Sequence, residues 1–171
     1  MAFTVLVLLL AAVRYFSEES ASVESPPVNV AESGEYRVER AVDGDTLLLD
    51  GGERVRLLGV DTPETKHRDK PVDPLGLEAA EFVADKVNGR VVRLEFDRER
   101  RDHYDRLLAY VYLDGELLNE ELILAGYSRA ITHHPYRSDM KRRFRQAEES
   151  ARQRKVGLFA EPAVTRERGG H

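Results

Sequence analysis

Two turn signals at the start of the domain constrain this chain more than any other feature. Asp43-Gly44-Asp45 and Asp50-Gly51-Gly52 cut the stretch 34–60 into three short pieces. Before the first turn, Tyr36, Val38, Arg40 and Val42 alternate with Arg37, Glu39 and Ala41, the period of a strand with one buried face. Residues 46–49 fit between the two turns only as a second short strand, and residues 55–60 make a third. Isolated helices of this length are marginal in water, whereas turns of this chemistry join antiparallel neighbours. The domain therefore opens as a three-stranded meander.

The rest of the chain can be read against that opening. Residues 61–74 carry two Lys, an Arg, a His and three Pro, the composition of a long exposed loop. Leu77, Ala80, Ala84 and Val87 follow at helical spacing, and Asn88-Gly89 stops the helix. Residues 91–96 read as a strand, 97–105 as a charged loop, and 107–113 as a strand ending at Asp114-Gly115. Leu118, Leu122 and Ala125 mark a second helix closed by Gly126. Met140, Phe144, Ala147 and Ala151 mark a third closed by Gly157. Three strands, a helix, two strands and two helices predict an α+β fold: a five-stranded, partly open barrel of the oligonucleotide-binding type with about three helices.

The N-terminus is a separate piece. Residues 2–13, AFTVLVLLLAAV, are apolar except for Thr4. Twelve helical residues reach about 18 Å, short of a bilayer core of about 30 Å. The length matches the apolar region of a secretory signal, and Ser20-Ala21-Ser22 offers small residues for cleavage. No Lys or Arg precedes the run, so cleavage and retention as an anchor over residues 2–16 both stay open, as does a buried N-terminal element. The Ser, Glu and Pro content of residues 17–33 reads as linker. The expected layout is an export or anchor segment with linker at 1–33, the domain at 34–162 and a polar tail at 163–171, working outside the cytoplasm.

Charge decides where chemistry can sit. The 171 residues hold 31 acids and 26 bases, a formal charge of −5, and no Cys. Thiol nucleophiles, thiolate metal sites and disulfides are thereby excluded. Net acidity argues against bulk attraction to nucleic acid, so polyanion binding needs a local patch. Between Asp43 and Glu64 six acids face two bases, and between Arg137 and Lys155 eight bases face three acids. Asp45 follows the first turn and Asp61 ends the third strand, and since the first and third strands share the second as neighbour their ends can converge. With a backbone carbonyl and waters the two carboxylates form an oxygen-only donor set of the kind Ca²⁺ or Mg²⁺ requires. The same residues equally suit plain turns. Arg56, inside the apolar run Val55, Leu57, Leu58, is costly unless paired or used, and its fork matches phosphate oxygens. Arg106 opens a strand directly after the charged loop and reads the same way. Glu64 suits a general base, since a carboxylate near a metal and a phosphate can take or orient a water proton, and suits a solvated loop residue as well. Adjacent side chains diverge on a strand, which argues against His133-His134 as a metal pair.

Three motifs in order carry a resemblance. They are Val42-Asp43-Gly44-Asp45-Thr46 with Val55-Arg56-Leu57-Leu58-Gly59-Val60-Asp61-Thr62-Pro63-Glu64-Thr65, then Tyr104-Asp105-Arg106-Leu107-Leu108-Ala109-Tyr110-Val111-Tyr112, then Leu118-Asn119-Glu120-Glu121-Leu122. Over residues 36–159 the chain resembles the thermonuclease, or staphylococcal nuclease-like, family. The resemblance implies Ca²⁺-dependent hydrolysis of phosphodiester bonds in DNA, RNA or both with little sequence specificity. One Ca²⁺ ion, or another divalent cation, would be held by the carboxylates of Asp45 and Asp61 and the backbone carbonyl of Thr62. Arg56 and Arg106 would hold the scissile phosphate, Glu64 would be general base and Tyr104 would contact a terminal phosphate. Asp105 departs from the family, standing where a Gly often precedes the catalytic Arg and placing a negative charge near Arg106. Where the best-known member has tyrosines flanking the base, His133, His134 and Tyr136 would have to serve. The expected partner is nucleic acid alone, with no obligate protein partner and no need of more than a monomer. The alternatives are a non-catalytic module of the same fold that binds nucleic acid or a protein tail, and a phosphatase of small phosphate esters.

Overall fold

The computed structural model describes residues 32–65 and 73–160. The apolar run, the small residues at 20–22 and the C-terminal tail lie outside them. The strands are β1 (Gly34–Ala41), β2 (Thr46–Leu49), β3 (Arg54–Leu57), β4 (Val91–Arg101), β5 (Leu107–Leu113) and a two-residue β6 (Glu116–Leu117). The helices are α1 (Pro74–Val87), α2 (Leu118–Leu124) and α3 (Ser138–Arg154), with a 3₁₀ turn at Gly157–Phe159. Among the described residues no helix is long and apolar enough to cross a membrane.

The sheet runs β3-β2-β1-β4-β5-β6, and a further parallel pairing of β3 with β5 closes it. Closure puts Val55 beside Leu107, Arg56 beside Leu108 and Leu57 beside Ala109. The result is a closed five-stranded barrel with a short sixth strand added by the Asp114-Gly115 turn. Val38, Leu47, Leu49, Val55, Leu57, Val92, Leu94, Ala109 and Val111 are buried in its core, one face of each strand pointing inward as the pleat requires. Arg56 is thus on a strand beside the one that Arg106 precedes, which the sequence alone did not place.

Three elements differ from expectation. β3 ends at Leu57, although Leu58 N–H still donates to Ala109 O at 2.9 Å. β4 continues through the charged residues to Arg101, because past Phe96 it shifts register and leaves the barrel wall, so Arg98, Glu99 and Arg100 face water. Only residues 102–106 form the loop. α1 buries Gly76, Ala79 and Val83, one position before the expected Leu77, Ala80 and Ala84, together with Val87 as expected, and Leu77 is exposed. The physical reason is Gly76: a Cβ there would stand 2.5 Å from the Pro63 carbonyl oxygen, so the bare backbone is the contact face. Asp73 caps α1 by accepting from Leu75 N–H at 2.9 Å, ahead of Pro74 in the first turn. α3 buries Met140, Phe144, Ala147 and Ala151 as the spacing predicts.

Candidate active site

Asp45 follows the first turn and is buried. Its own N–H donates to Asp43 Oδ1 at 3.0 Å, which tightens the turn. Its Oδ2 accepts from Thr62 N–H at 3.0 Å and from the Thr62 hydroxyl at 3.3 Å, while Oδ1 accepts from the Thr46 hydroxyl at 3.1 Å. Gly44 makes this approach feasible: a Cβ there would stand 2.7 Å from Thr62 Oγ1. Burial pushes the Asp45 carboxyl up to about 6; Arg56 pulls it down and the charge on Asp43 pushes it further up.

Arg56 projects from β3 between two carboxylates. Its Nη1 lies 3.0 Å from Asp45 Oδ2 and its Nη2 lies 2.8 Å from Asp61 Oδ1. Nη1 also donates to Val60 O at 2.9 Å. The guanidinium is mostly buried whereas the Asp61 side chain is exposed. The Arg56 charge, costly among apolar neighbours, is satisfied by pairing on both sides.

Asp61 is set by Ser128, a residue the sequence reading missed. Asp61 N–H donates to Ser128 Oγ at 2.7 Å, and the Ser128 hydroxyl faces both Asp61 O (3.2 Å) and Arg129 O (2.7 Å). Asn119 was missed as well. It is fully buried, accepts from Val111 N–H at 2.9 Å and donates to Leu58 O at 2.8 Å and Ala109 O at 3.2 Å. It ties the segment after β3 to β5, and hence the chain that carries Asp61 to the strand that follows Arg106.

Arg106 Nε donates to Asp102 Oδ2 at 2.7 Å, and Nη2 lies at 2.7 Å from the same oxygen. Asp102 Oδ1 accepts from the Tyr104 and Arg106 amides at 2.9 and 3.0 Å. Burial works to raise the Asp102 acid, but the Arg106 amide, the Arg106 guanidinium and the Tyr104 amide together hold it below the usual carboxylate range. Asp105 adopts φ 62°, the left-handed region that Gly favours and Asp tolerates. Its carboxylate turns to Arg101 at 3.5 Å, so Arg106 is paired by Asp102 rather than by Asp105.

Arg56, Asp61, Asp102 and Arg106 line one cleft of about 410 Å³. Asp45 sits behind Arg56. Thr62 and Glu64 continue from Asp61, outside the cleft lining; Glu64 is exposed on a segment pressed by Gly76. Tyr104 is 69% exposed and lies 5.2 Å from the Arg106 guanidinium carbon. Tyr136 is not available to a ligand. It is buried against Tyr110 and Phe144, and its hydroxyl donates to Ile131 O at 2.7 Å. It stands four residues before Met140, so the buried stripe of α3 already contained the signal. His133 and His134 remain exposed at the cleft.

The donor chemistry at Asp45 and Asp61 fits a hard cation. Both carboxylates converge on one positively charged point, now the Arg56 guanidinium, and offer only oxygen. Among the described residues no three His, Cys, Asp or Glu side chains come together as a ligand set. Any further oxygen ligand would come from the backbone or from water.

Comparison with known proteins gives the family. Residues 54–161 match the family described as staphylococcal nuclease homologue. The thermonuclease of Staphylococcus hyicus is 36% identical over 148 residues, covering 85% of this chain and 87% of that protein. The thermonuclease of Staphylococcus intermedius is 40% identical over 127 residues, covering 72% and 75%. Endonuclease YncB of Bacillus subtilis is 38% identical over 136 residues, covering 77% and 64%. The chain belongs to the staphylococcal nuclease family and is a hydrolase of the phosphodiesterase class.

Proposed function

We propose that this chain is a Ca²⁺-dependent nuclease that hydrolyses phosphodiester bonds of DNA, RNA or both with little sequence preference. The observation that carries the proposal is the convergence of Arg56 and Arg106 on one cleft with Asp61, Asp45 being bonded to the rear of Arg56. Guanidinium donors aimed at phosphate carry no base information, which supports sequence indifference.

In this reading the Asp45 and Asp61 carboxylates and the Thr62 carbonyl hold the cation. When bound, the ion supplies positive charge beside a phosphate oxygen and lowers the cost of charge developing there. After serving Asp45, Val60 and Asp61, Arg56 keeps its Nε hydrogen and one Nη2 hydrogen; after serving Asp102, Arg106 keeps both hydrogens on Nη1 and one on Nη2. These donors grip the non-bridging oxygens and tighten as the five-coordinate phosphorus forms. Glu64 takes a proton from the attacking water while the bond to the leaving oxygen breaks. Tyr104, exposed beside Arg106, meets a terminal phosphate.

Export belongs to the same proposal. The apolar residues 2–13 and the small residues 20–22 support action outside the cytoplasm, with attachment to a membrane through residues 2–16 where that segment is kept. The acting form in this proposal is a monomer. The working domain is residues 34–162, with 163–171 as tail.

The test incubates plasmid DNA and RNA with Ca²⁺, Mg²⁺ or chelator, using wild type and Glu64→Gln. Cleavage that requires the ion and falls at least about 100-fold in Glu64→Gln is expected. Cleavage in chelator overturns the metal assignment, and undiminished cleavage by Glu64→Gln overturns the base. One observation favours a non-catalytic binding module: both cleft guanidiniums are already bonded to carboxylates. Binding without cleavage at every metal tried would establish that reading instead.

A further inference from the structure

The cleft carries three histidines that the reaction does not use. His103 comes from the turn between β4 and β5, and His133 and His134 come from the segment before α3. All three are exposed. The segment holding the pair is pinned on both sides. Ile131 N–H donates to Gly59 O at 2.9 Å, Tyr136 holds Ile131 O, and Arg137 N–H donates to Asp97 at 2.8 Å. It is not a strand, so the divergence expected of neighbouring side chains does not apply: the two rings lie 4.2 Å apart, centroid to centroid. The His103 ring lies 3.8 Å from that of Tyr104.

The charged groups facing these imidazoles come from every wall. β3 and the segment after it give Arg56 and Asp61, β4 and its turn give Glu99 and Asp102, and β5 is preceded by Arg106. Two guanidiniums thus stand against three carboxylates, a formal charge of −1 while the histidines are neutral. Asp45 behind Arg56 adds to the deficit. A phosphodiester entering this cleft without a metal therefore meets no net attraction. Each imidazolium adds one positive charge, so one proton cancels the deficit and three reverse it. An ordinary imidazole, with a pKa of about 6.5, titrates near neutral pH. Two imidazolium charges in the rings of His133 and His134, 4.2 Å apart and tilted by 42°, repel one another. An anion seated against both rings relieves that repulsion, which couples proton uptake to anion binding, and the coupling is reciprocal.

We propose that His103, His133 and His134 form a proton-dependent phosphate-binding rim that strengthens the hold on nucleic acid as the cleft is acidified. The inference rests on the nuclease reading for its ligand and adds the control of affinity at the same site. It assigns these imidazoles an electrostatic role on the phosphate chain.

The experiment measures anisotropy of a rhodamine-labelled single-stranded oligothymidylate with the full chain. Chelator is present to prevent cleavage, ionic strength is constant, and pH runs from 8.0 to 5.5. Wild type is expected to bind about tenfold tighter at the acid end for each histidine whose pKa binding raises by one unit. The triple variant His103→Gln/His133→Gln/His134→Gln is expected to change less than about threefold. His133→Arg/His134→Arg is expected to bind tightly already at pH 8.0 and to flatten the profile. A flat wild-type profile, or one equally steep in the triple variant, overturns the proposal. Cleavage of the same oligonucleotide with Ca²⁺ at pH 8.0 is scored separately. Cleavage with a flat binding profile removes the rim alone, and a steep profile without cleavage under any metal removes the nuclease reading while the rim stands.

Discussion

Replacing Asp45 by Asn isolates the energetic consequence of burying an acid at this site. The side chain is buried and its pKa rises from 3.8 to about 6, driven by burial and only partly offset by Arg56. A raised acid binds its proton more tightly in the folded protein than in the unfolded chain. Ionised Asp45 therefore opposes folding above pH 6, and the opposition fades as pH falls through 6 towards 3.8. Two units correspond to about 3 kcal/mol at pH 7.5 and, by the same linkage, to about 1 kcal/mol at pH 4.5. Asn has the shape of the neutral acid. Its oxygen keeps the Thr62 amide, and its NH₂ faces the Thr46 hydroxyl, which accepts as readily as it donates. Arg56 keeps Asp61 and Val60. Urea unfolding in chelator at both pH values is the assay. With a slope of about 2 kcal/mol per molar, Asp45→Asn is expected to raise the midpoint by about 1.5 M at pH 7.5 and about 0.5 M at pH 4.5. Adding Ca²⁺ should stabilise wild type and leave the variant unmoved. A variant less stable than wild type at pH 7.5 refutes the reasoning, because it means the Arg56 pair outweighs the desolvation of Asp45.

The other predictions concern the supports of the site. Glu64→Gln should cut kcat by about 10²–10⁴ with an unchanged urea midpoint, since Glu64 is exposed; kinetics and unfolding are measured on the same preparation. Gly76→Ala should cost about 1–3 kcal/mol despite the higher helix propensity of Ala, because the new methyl overlaps the Pro63 carbonyl. It should also lower kcat by shifting the segment that carries Glu64. Asn119→Ala should cost about 3 kcal/mol by stranding the Val111 amide and the Leu58 carbonyl in the core, while the Ala109 carbonyl keeps the Leu58 amide, read from the urea midpoint.

The parts of this molecule that were legible in sequence are those with local signals. Asp-Gly turns and alternating apolar residues marked β1 to β3, and the spacing of four and then three residues from Met140 to Phe144 to Ala147 marked α3. The outer part of β4 was not legible, because residues 98–100 leave the barrel wall and alternate against nothing. The phase of α1 was misread because its contact face begins with a glycine, which carries no hydrophobic signal. Asn119 and Ser128 were invisible for a different reason. Each bonds to backbone groups about 60 residues away, Leu58 for one and Asp61 for the other, and a backbone partner leaves no trace in residue type. Arg56 was legible as an anomaly, a cation in an apolar run. Only the fold showed it held between Asp45 and Asp61. For Asp105 the sequence showed the added charge but not its direction, which the left-handed backbone turns towards Arg101.

The central claim is that Arg56 and Arg106 act together on one phosphate. Its most direct measurement is kcat/KM for a short oligonucleotide at saturating Ca²⁺ in wild type, Arg56→Ala, Arg106→Ala and the double variant. Each single change should lower the rate by about 10²–10³, and the double variant should lose less than the product of the two, as groups acting on one transition state do. Single variants within twofold of wild type, or losses that multiply fully, would contradict it.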